Sequence, residues 1–313
     1  MKISNFLFFC LFVIILNSAF GCAQKIQPKG IKIVATFSVL ADLVQNVGGN
    51  RISLDVLVGP DSDAHTFEPS PEDLVKLNKA VVVFENGVDF EVWLDKLFAS
   101  SKSKANRIVV SKGLILRDGL HKHSKEEDNK HHENESDPHI WHDVENVIHI
   151  VKMINTELKR VDPDGSAEFD SNTENFLIKL NQLNNWIKSE TDVLTKNKKK
   201  LITNHDTFGY YADRYGFEIP ANALSSFSTE SSEPSAKQFA DLILTIKTSK
   251  VPSIFVENVH NAKIMEKLAR ECKVKLAPPL YTDALGKKSS EGDTYEKMMR
   301  YNTKTIIEAL TNE

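Results

Sequence analysis

Four polar side chains stand directly after predicted strands or in loops between predicted elements. They are His65 in GPDSDAHTFEPSP, His139 in DPHIWHD, His205 in TNHDTFGY and Asp283 in LYTDALG. Open α/β sheets bind their ligands at such positions, beyond the ends of the strands. A single histidine is more often a structural residue, but four such positions, two in each half of the chain, indicate a shared site. Three imidazoles and one carboxylate suit a borderline-soft divalent cation, with zinc as the first candidate.

Strands and helices alternate along the chain from residue 31 onward. The β-branched run at 31–37 predicts a strand, and Ser38 caps an apolar-periodic helix that ends at Gly48-Gly49. Ser70-Pro71, followed by two acidic residues, marks the start of another helix. This alternation predicts mainly parallel sheets covered by helices on both faces, which is an α/β fold.

One long periodic segment divides the chain into two halves that share this alternating pattern. Residues 164–196 contain no glycine or proline after Gly165 and predict a helix of about 45 Å, at ~1.5 Å per residue. We therefore predict an N-terminal α/β lobe at 31–163, one long rigid linking helix at 164–196 and a C-terminal α/β lobe at 197–313. A length of 313 residues also favours two domains.

Composition excludes several classes of protein. Lys and Arg number 39 against 43 Asp and Glu, so the net charge of -4 argues against nucleic-acid binding, which needs a basic face. Three cysteines cannot form a disulfide scaffold or a cysteine-rich zinc module. The sequence contains no HExxH pairing, no GxSxG elbow and no P-loop. A zinc hydrolase therefore remains only a remote alternative, and no catalytic residues are assigned.

The first 22 residues have the pattern of an export signal. Their apolar run at 6–16 is too short to cross a bilayer of ~30 Å, so it is read as a signal-peptide core. The segment that ends at Gly21-Cys22 resembles a bacterial lipobox, although Ala19 stands where leucine is usual. We expect an exported, periplasmic or cell-surface protein, with a lipid anchor on Cys22 and a tether at 23–30; plain secretion is the alternative.

Longer motifs give a specific resemblance. They are HTFEPSP (65–71), DPHIWHD (137–143), NHDTFGYYADRYG (204–216), EPSA (233–236), IFVEN (254–258) and YTDALG (281–286). With them the chain resembles the metal-binding solute-binding proteins of bacterial ABC importers, the zinc/manganese family called cluster A-I. The resemblance implies that His65, His139, His205 and Asp283 are the metal ligands, in a cleft between two lobes. It also implies a cognate ABC permease as partner, and we expect a monomer.

Zinc and manganese are the two main candidates for the bound metal. Manganese-preferring members of the family commonly have glutamate at the position of His205, so a histidine there favours zinc. The set of three histidines and one aspartate also occurs in relatives credited with both metals. We therefore expect a zinc receptor, with manganese, or iron, as the alternative cargo of the same class of receptor.

Residues 120–137 form a histidine-rich acidic segment. LHKHSKEEDNKHHENESD contains His121, His123, His131 and His132 and has no apolar residue after Leu120, so we predict a loop. Zinc-importing members of the family resemble this chain in having such a segment. It is read as a low-affinity zinc collector that feeds the cleft, and the alternative is a polar surface insertion.

The remaining conspicuous residues are given supporting roles. Asp206 and Glu257 are expected to orient ligand imidazoles, and Trp141 to wall off the cleft. His142, one helical turn after His139, is not counted as a ligand, because the family pattern does not use that position. His149 and His260 are read as surface or packing histidines.

Overall fold

The computed structural model describes residues 30–118, 136–224, 229 and 234–311. The predicted signal at 1–22, Cys22, nearly all of the tether and the four histidines of the 120–137 segment lie outside the described residues. Among the helices in the described ranges, none is long and apolar enough to cross a membrane.

The N-terminal half is built on a four-stranded parallel sheet with the strand order β2-β1-β3-β4. The two inner strands, β1 and β3, are buried along most of their length, which explains their continuous β-branched and aromatic sequences. The strands are β1 (Ile31–Phe37), β2 (Ile52–Val58), β3 (Val82–Glu85) and β4 (Asn106–Val109).

Four helices accompany this sheet. They are α1 (Ser38–Gly48), α2 (Pro71–Lys79), α3 (Leu94–Ser101) and α4 (Val144–Val161). The predicted helix start at Ser70-Pro71 is confirmed, because Ser70 and Asp73 form a reciprocal capping box before the first turn of α2.

The linking helix, α5 (Ser166–Thr191), has 26 residues, about 39 Å at ~1.5 Å per residue. It is shorter than the predicted 164–196 because the chain turns after Thr191, so that Leu194 is buried. Helix α5 packs against α1 and α4 of the N-terminal half and also against the C-terminal helix of the protein. It therefore supports both halves of the molecule.

The C-terminal half contains two parallel strand pairs, β5-β6 and β7-β8. The carboxyl ends of β5 and β7 are joined because the Asn204 side chain accepts a hydrogen bond from the Glu257 backbone (3.2 Å). The elements are β5 (Lys200–Thr203), α6 (Gly209–Tyr215), β6 (Glu218–Asn222), α7 (Ala236–Ser249), β7 (Ser253–Glu257), α8 (Lys263–Cys272), β8 (Lys275–Leu280) and α9 (Tyr295–Thr311).

The apolar core does not divide cleanly between the two halves. A large core joins the first sheet and α5 to Tyr211, Tyr295 and Met298 of the C-terminal half. A second, smaller core lies between α7, α8 and the strands β5 and β7. The region of the second core is thus the part of the C-terminal half that depends least on the rest of the molecule for its packing.

Candidate metal centre

The four side chains singled out by sequence come together between the two halves. His65 lies in the loop between β2 and α2, and His139 in the segment before α4. His205 follows β5, and Asp283 follows β8, so each half contributes two side chains. His139, His205 and Asp283 are completely buried, and His65 is 5 % exposed.

The distances between their polar atoms define one compact cluster. The Nε2 atom of His205 lies 3.2 Å from Nε2 of His139 and 3.2 Å from Oδ2 of Asp283. Nε2 of His65 lies 3.5 Å from the same Asp283 oxygen, and Nε2 of His139 lies 3.6 Å from the other. All four residues can direct a ligand atom within 4.8 Å of the others.

These spacings match the edges of a small coordination tetrahedron. Four ligands bound at ~2.0–2.1 Å to one ion stand about 3.3 Å from one another. Two of the atoms facing this point, Nε2 of His65 and Oδ2 of Asp283, are buried and have no hydrogen-bond partner among the described residues. Buried polar atoms are normally satisfied, so this pair is suited to a cation.

Asp137 fixes the orientation of His139. One of its carboxylate oxygens lies 2.8 Å from Nδ1 of the ring and accepts a hydrogen bond from the His139 backbone at 2.9 Å. With Nδ1 as the donor, Nε2 is unprotonated and directs its lone pair at the cluster, where it lies 3.2 Å from Nε2 of His205. Asp137 was missed in the sequence analysis, although an aspartate two residues before a histidine is a local signal for this turn.

Glu257 has the same function for His205. Its Oε2 lies 2.6 Å from Nδ1 of His205, and its Oε1 accepts a hydrogen bond from the His205 backbone at 3.0 Å. This contact agrees with the orienting role expected for Glu257. The contacts expected for Asp206 are not found, because both of its buried oxygens lack a hydrogen-bond partner among the described residues. Sequence adjacency to His205 was therefore a misleading signal for Asp206.

Burial and neighbouring charges shift the pKa values of the three histidines in different directions. Burial lowers the pKa of His65 and of His139 to about 4, so both rings are neutral at neutral pH. Burial also opposes the charged form of His205, but Glu257 and Asp283 outweigh it and hold the pKa of His205 well above its usual value. Although burial alone would raise it, His205 and His139 hold the pKa of Asp283 well below its usual range. A cation entering this cluster therefore replaces a proton on His205.

Aromatic rings close the N-terminal side of the cluster. The ring of Phe90 packs edge-on against His65, with centroids 4.7 Å apart, and Trp141 packs against His139 at 5.4 Å. The Nε1 atom of Trp141 donates to the carbonyl of Thr282, next to Asp283, at 3.0 Å. Trp141 thus walls off the site, as expected, and also joins the two halves beside it.

Three further histidines in the described ranges differ in what their rings contact. His142 is buried near Phe208, with Nε2 3.3 Å from the Thr207 hydroxyl, and it does not belong to the four-residue cluster. His149 bonds the carbonyl of Lys112 at 3.2 Å, which agrees with a surface or packing role. His260 differs from its expected role, because its Nε2 lies 3.3 Å from Nδ1 of His205. This contact could not be predicted from local sequence, because the two histidines are 55 residues apart.

The loop that carries Phe90 depends on a buried carboxyl group, and this predicts a pH effect. Glu91 accepts hydrogen bonds from the Thr36 hydroxyl and from the backbones of Asn86 and Gly87, while burial raises its pKa from 4.5 to about 7. The folded state then binds a proton that the unfolded state releases, so stability falls as the pH rises from 4.5 to about 7.

We expect Glu91→Gln to remove this fall in stability, because glutamine stays neutral at every pH, while its amide NH2 cannot accept the bond from Gly87 at any pH. The pH-dependent part of the difference between the two proteins is about 3 kcal/mol, at ~1.4 kcal/mol per pKa unit. The measurement is the free energy of unfolding in urea with chelator, at pH 5 and pH 7.5. Parallel pH curves for the two proteins would contradict the expectation.

Replacing the carboxyl group that orients His139 predicts a change in metal affinity. Asp137→Asn retains the size of the side chain but weakens its hold on Nδ1, so we expect metal affinity to fall about 10- to 100-fold, as for other carboxylates behind metal-bound histidines. Competition with a chelator of known affinity measures it. Asp213→Asn, which removes a mostly exposed partner of Arg117, is the matched control. Equal losses in both variants would contradict a specific role for Asp137.

Known proteins resemble this chain along most of its length. The sequence model of the family described as "Zinc-uptake complex component A periplasmic" matches residues 33–309. The manganese ABC transporter substrate-binding lipoprotein PsaA of Streptococcus pneumoniae (strain TIGR4) is 30% identical over 306 residues, covering 95% of both chains. The iron ABC transporter substrate-binding lipoprotein MtsA of Streptococcus pyogenes serotype M1 is 30% identical over 311 residues, covering 97% of this chain and 96% of its own.

A solved structure agrees with the fold. The periplasmic zinc binding protein TroA from Treponema pallidum superposes with a TM-score of 0.78 at 27% identity, covering 90% of this chain and 99% of its own. The predicted α/β fold, with parallel sheets in two lobes and a long helix between them, is thereby confirmed.

Proposed function

The chain belongs to the family of the periplasmic component A of zinc-uptake complexes, and from this premise we propose that it is a zinc receptor, with His65, His139, His205 and Asp283 as the ligands. Membership of the family makes it a metal-binding receptor of an ABC importer. One observation supports the ligand assignment above all others: four buried polar side chains bring their ligand atoms within 4.8 Å of one another, as one shared metal site requires.

The choice of zinc rests on ligand chemistry. The named relatives include receptors for manganese and for iron and a zinc binding protein, so similarity does not select one metal. Three imidazole nitrogens and one carboxylate oxygen favour zinc over manganese, which prefers oxygen ligands. The same receptor with manganese or iron as its cargo is the alternative.

The proposed mechanism is capture and release rather than catalysis. Asp283 neutralises one charge of the bound ion, while Asp137 and Glu257 hold His139 and His205 in position behind it. Four protein ligands leave no open position for a reactive water, which distinguishes this arrangement from that of a catalytic zinc.

Release of the ion is proposed to use local movement in the C-terminal half. Strong contacts hold α9 and α6 to the N-terminal half, including Tyr295 to the Trp141 carbonyl (2.8 Å) and Arg214 to Asp143 (2.7 Å). The smaller core around α7 and α8 packs separately from the large core, and the loops beside it are tied to the N-terminal half by Thr229 to Asp63 (2.6 Å) and Asn258 to Asp61 (3.1 Å). Movement of this region therefore has to break these loop contacts but not the large core.

Location and partners follow from the same proposal. The receptor is exported, anchored by lipid on Cys22 and active as a monomer that delivers its ion to a cognate permease. The histidine-rich segment at 120–137 collects zinc at low affinity and feeds it to the cleft.

A deletion strain tests the proposed cargo. Growth in metal-depleted medium should be restored by the gene for the unmodified chain at low zinc, and not by the His65→Ala form. Restoration that depends on added manganese or iron instead of zinc would retain the receptor and overturn the proposed metal. Equal restoration by the His65→Ala form would overturn the ligand assignment.

A further inference from the structure

A second group of potential metal ligands lies on the opposite side of the His205 ring. His260, Glu257 and the Nδ1 atom of His205 come within ligand distance of one another, behind the buried cluster. We propose that these three residues form an outer cation position, which a divalent ion such as Zn²⁺ occupies on its way to and from the buried site. The inference rests on the proposed function, because His205 is shared by both positions.

The geometry suits a small cation after one rearrangement. Nε2 of His260 lies 3.3 Å from Nδ1 of His205 and 3.7 Å from Oε2 of Glu257, close to the edges of a tetrahedron with bonds of ~2.0–2.1 Å. The third edge, between Glu257 and Nδ1 of His205, is 2.6 Å because a hydrogen bond joins these atoms. As the ion binds, it displaces the Nδ1 proton to water, and the carboxylate and the ring nitrogen then hold the ion together.

The two positions exclude each other through the chemistry of one imidazole. A neutral ring has one protonated nitrogen and one lone pair. The buried site uses the lone pair of Nε2 with the proton on Nδ1, whereas the outer position uses the lone pair of Nδ1 with the proton on Nε2. The protein therefore holds an ion at one of the two positions at a time. The outer position adds a step to binding and release, but it does not store a second ion.

Exposure and charge place the outer position on a route to solvent. The side chains of His139, His205 and Asp283 are 0 % exposed, whereas that of His260 is 11 % exposed. Asn258, two residues before His260, donates to the exposed carboxylate of Asp61 at 3.1 Å. Asp61 therefore places a negative charge beside the segment that carries His260, and such a charge attracts cations.

The test isolates the outer position in the full chain. His65→Ala and His139→Ala together remove two ligands of the buried site, and replacing His121, His123, His131 and His132 by Asn removes histidines that bind zinc elsewhere. Zn²⁺ is titrated in competition with a chromophoric chelator. We expect one weakly bound Zn²⁺, whose affinity falls at least about tenfold, the effect of one lost ligand, when His260→Ala is added. His149→Ala is the matched control and should change nothing.

A kinetic measurement covers the case in which that combined variant does not fold. In the otherwise unmodified chain, stopped-flow transfer of Zn²⁺ to a chelator should slow about tenfold in His260→Ala and not in His149→Ala. Equal affinities in the first experiment, no weakly bound Zn²⁺ at all, or equal transfer rates in the second would overturn the outer position. Failure of the proposed function has a different signature, since it appears as no one-to-one zinc binding by the unmodified chain.

Discussion

His205→Ala is expected to lower the affinity for zinc by about 10²- to 10³-fold. Structural four-ligand zinc sites bind with ~10–16 kcal/mol in total, so one ligand contributes about 3–4 kcal/mol. The loss should be at the upper end here, because His205 is the residue closest to both His139 and Asp283. The substitution also leaves the buried Glu257 without its nearest cationic partner.

Competition with a chelator of known affinity measures this change at neutral pH. His149→Ala is the control, since His149 bonds only the Lys112 carbonyl and belongs to neither group of potential ligands. Circular dichroism of the metal-free variant separates loss of a ligand from loss of fold. A zinc affinity within threefold of the unmodified chain would remove His205 from the ligand set.

Asp283→Asn is expected to weaken zinc binding by about 10³-fold, an effect as large as that of His205→Ala. Asp283 is completely buried, and it is the only carboxylate among the four residues of the described cluster. Without it, the ion would be held by neutral groups in a buried site, where an uncompensated charge is costly. Asparagine preserves the shape of the side chain, so the effect reports mainly on charge.

A thermal-unfolding series provides the readout for Asp283→Asn. A ligand at 100 times its dissociation constant stabilises a protein by ~2.7 kcal/mol, and this gain should vanish at the same zinc concentration in the variant. Asp95→Asn, at a carboxylate that is 86% exposed, is the matched control. Retention of the full zinc-dependent stabilisation would contradict the role of Asp283.

The positions of the four proposed ligands were predictable because their sequence context fixes where each side chain stands. His205 and Asp283 follow parallel strands, and the carboxyl ends of such strands lie at one edge of a sheet. His65 and His139 are carried by loops that end in well-signalled helices, α2 after Ser70 and α4 after Asp143. These local rules, together with the resemblance, gave both the fold class and the cluster.

The residues that contact the proposed ligands from outside the cluster were harder to predict, because packing between separate elements sets their contacts. His260 meets His205 across 55 positions of sequence, and no local pattern reports that contact. Asp206 has the right type and neighbour for an orienting role, yet neither of its buried oxygens has a hydrogen-bond partner among the described residues. The end of α5 was also misplaced, since burial of Leu194 outweighs the helical periodicity that continues to residue 196.

We propose that this protein carries one zinc ion on His65, His139, His205 and Asp283. The most direct test is the metal content, by elemental analysis, of the protein purified from its own host without chelators or metal-affinity resin. We expect one equivalent of zinc in the unmodified protein and none in His65→Ala. One equivalent of manganese or iron would contradict zinc as the cargo, and zinc retained in His65→Ala would contradict the site.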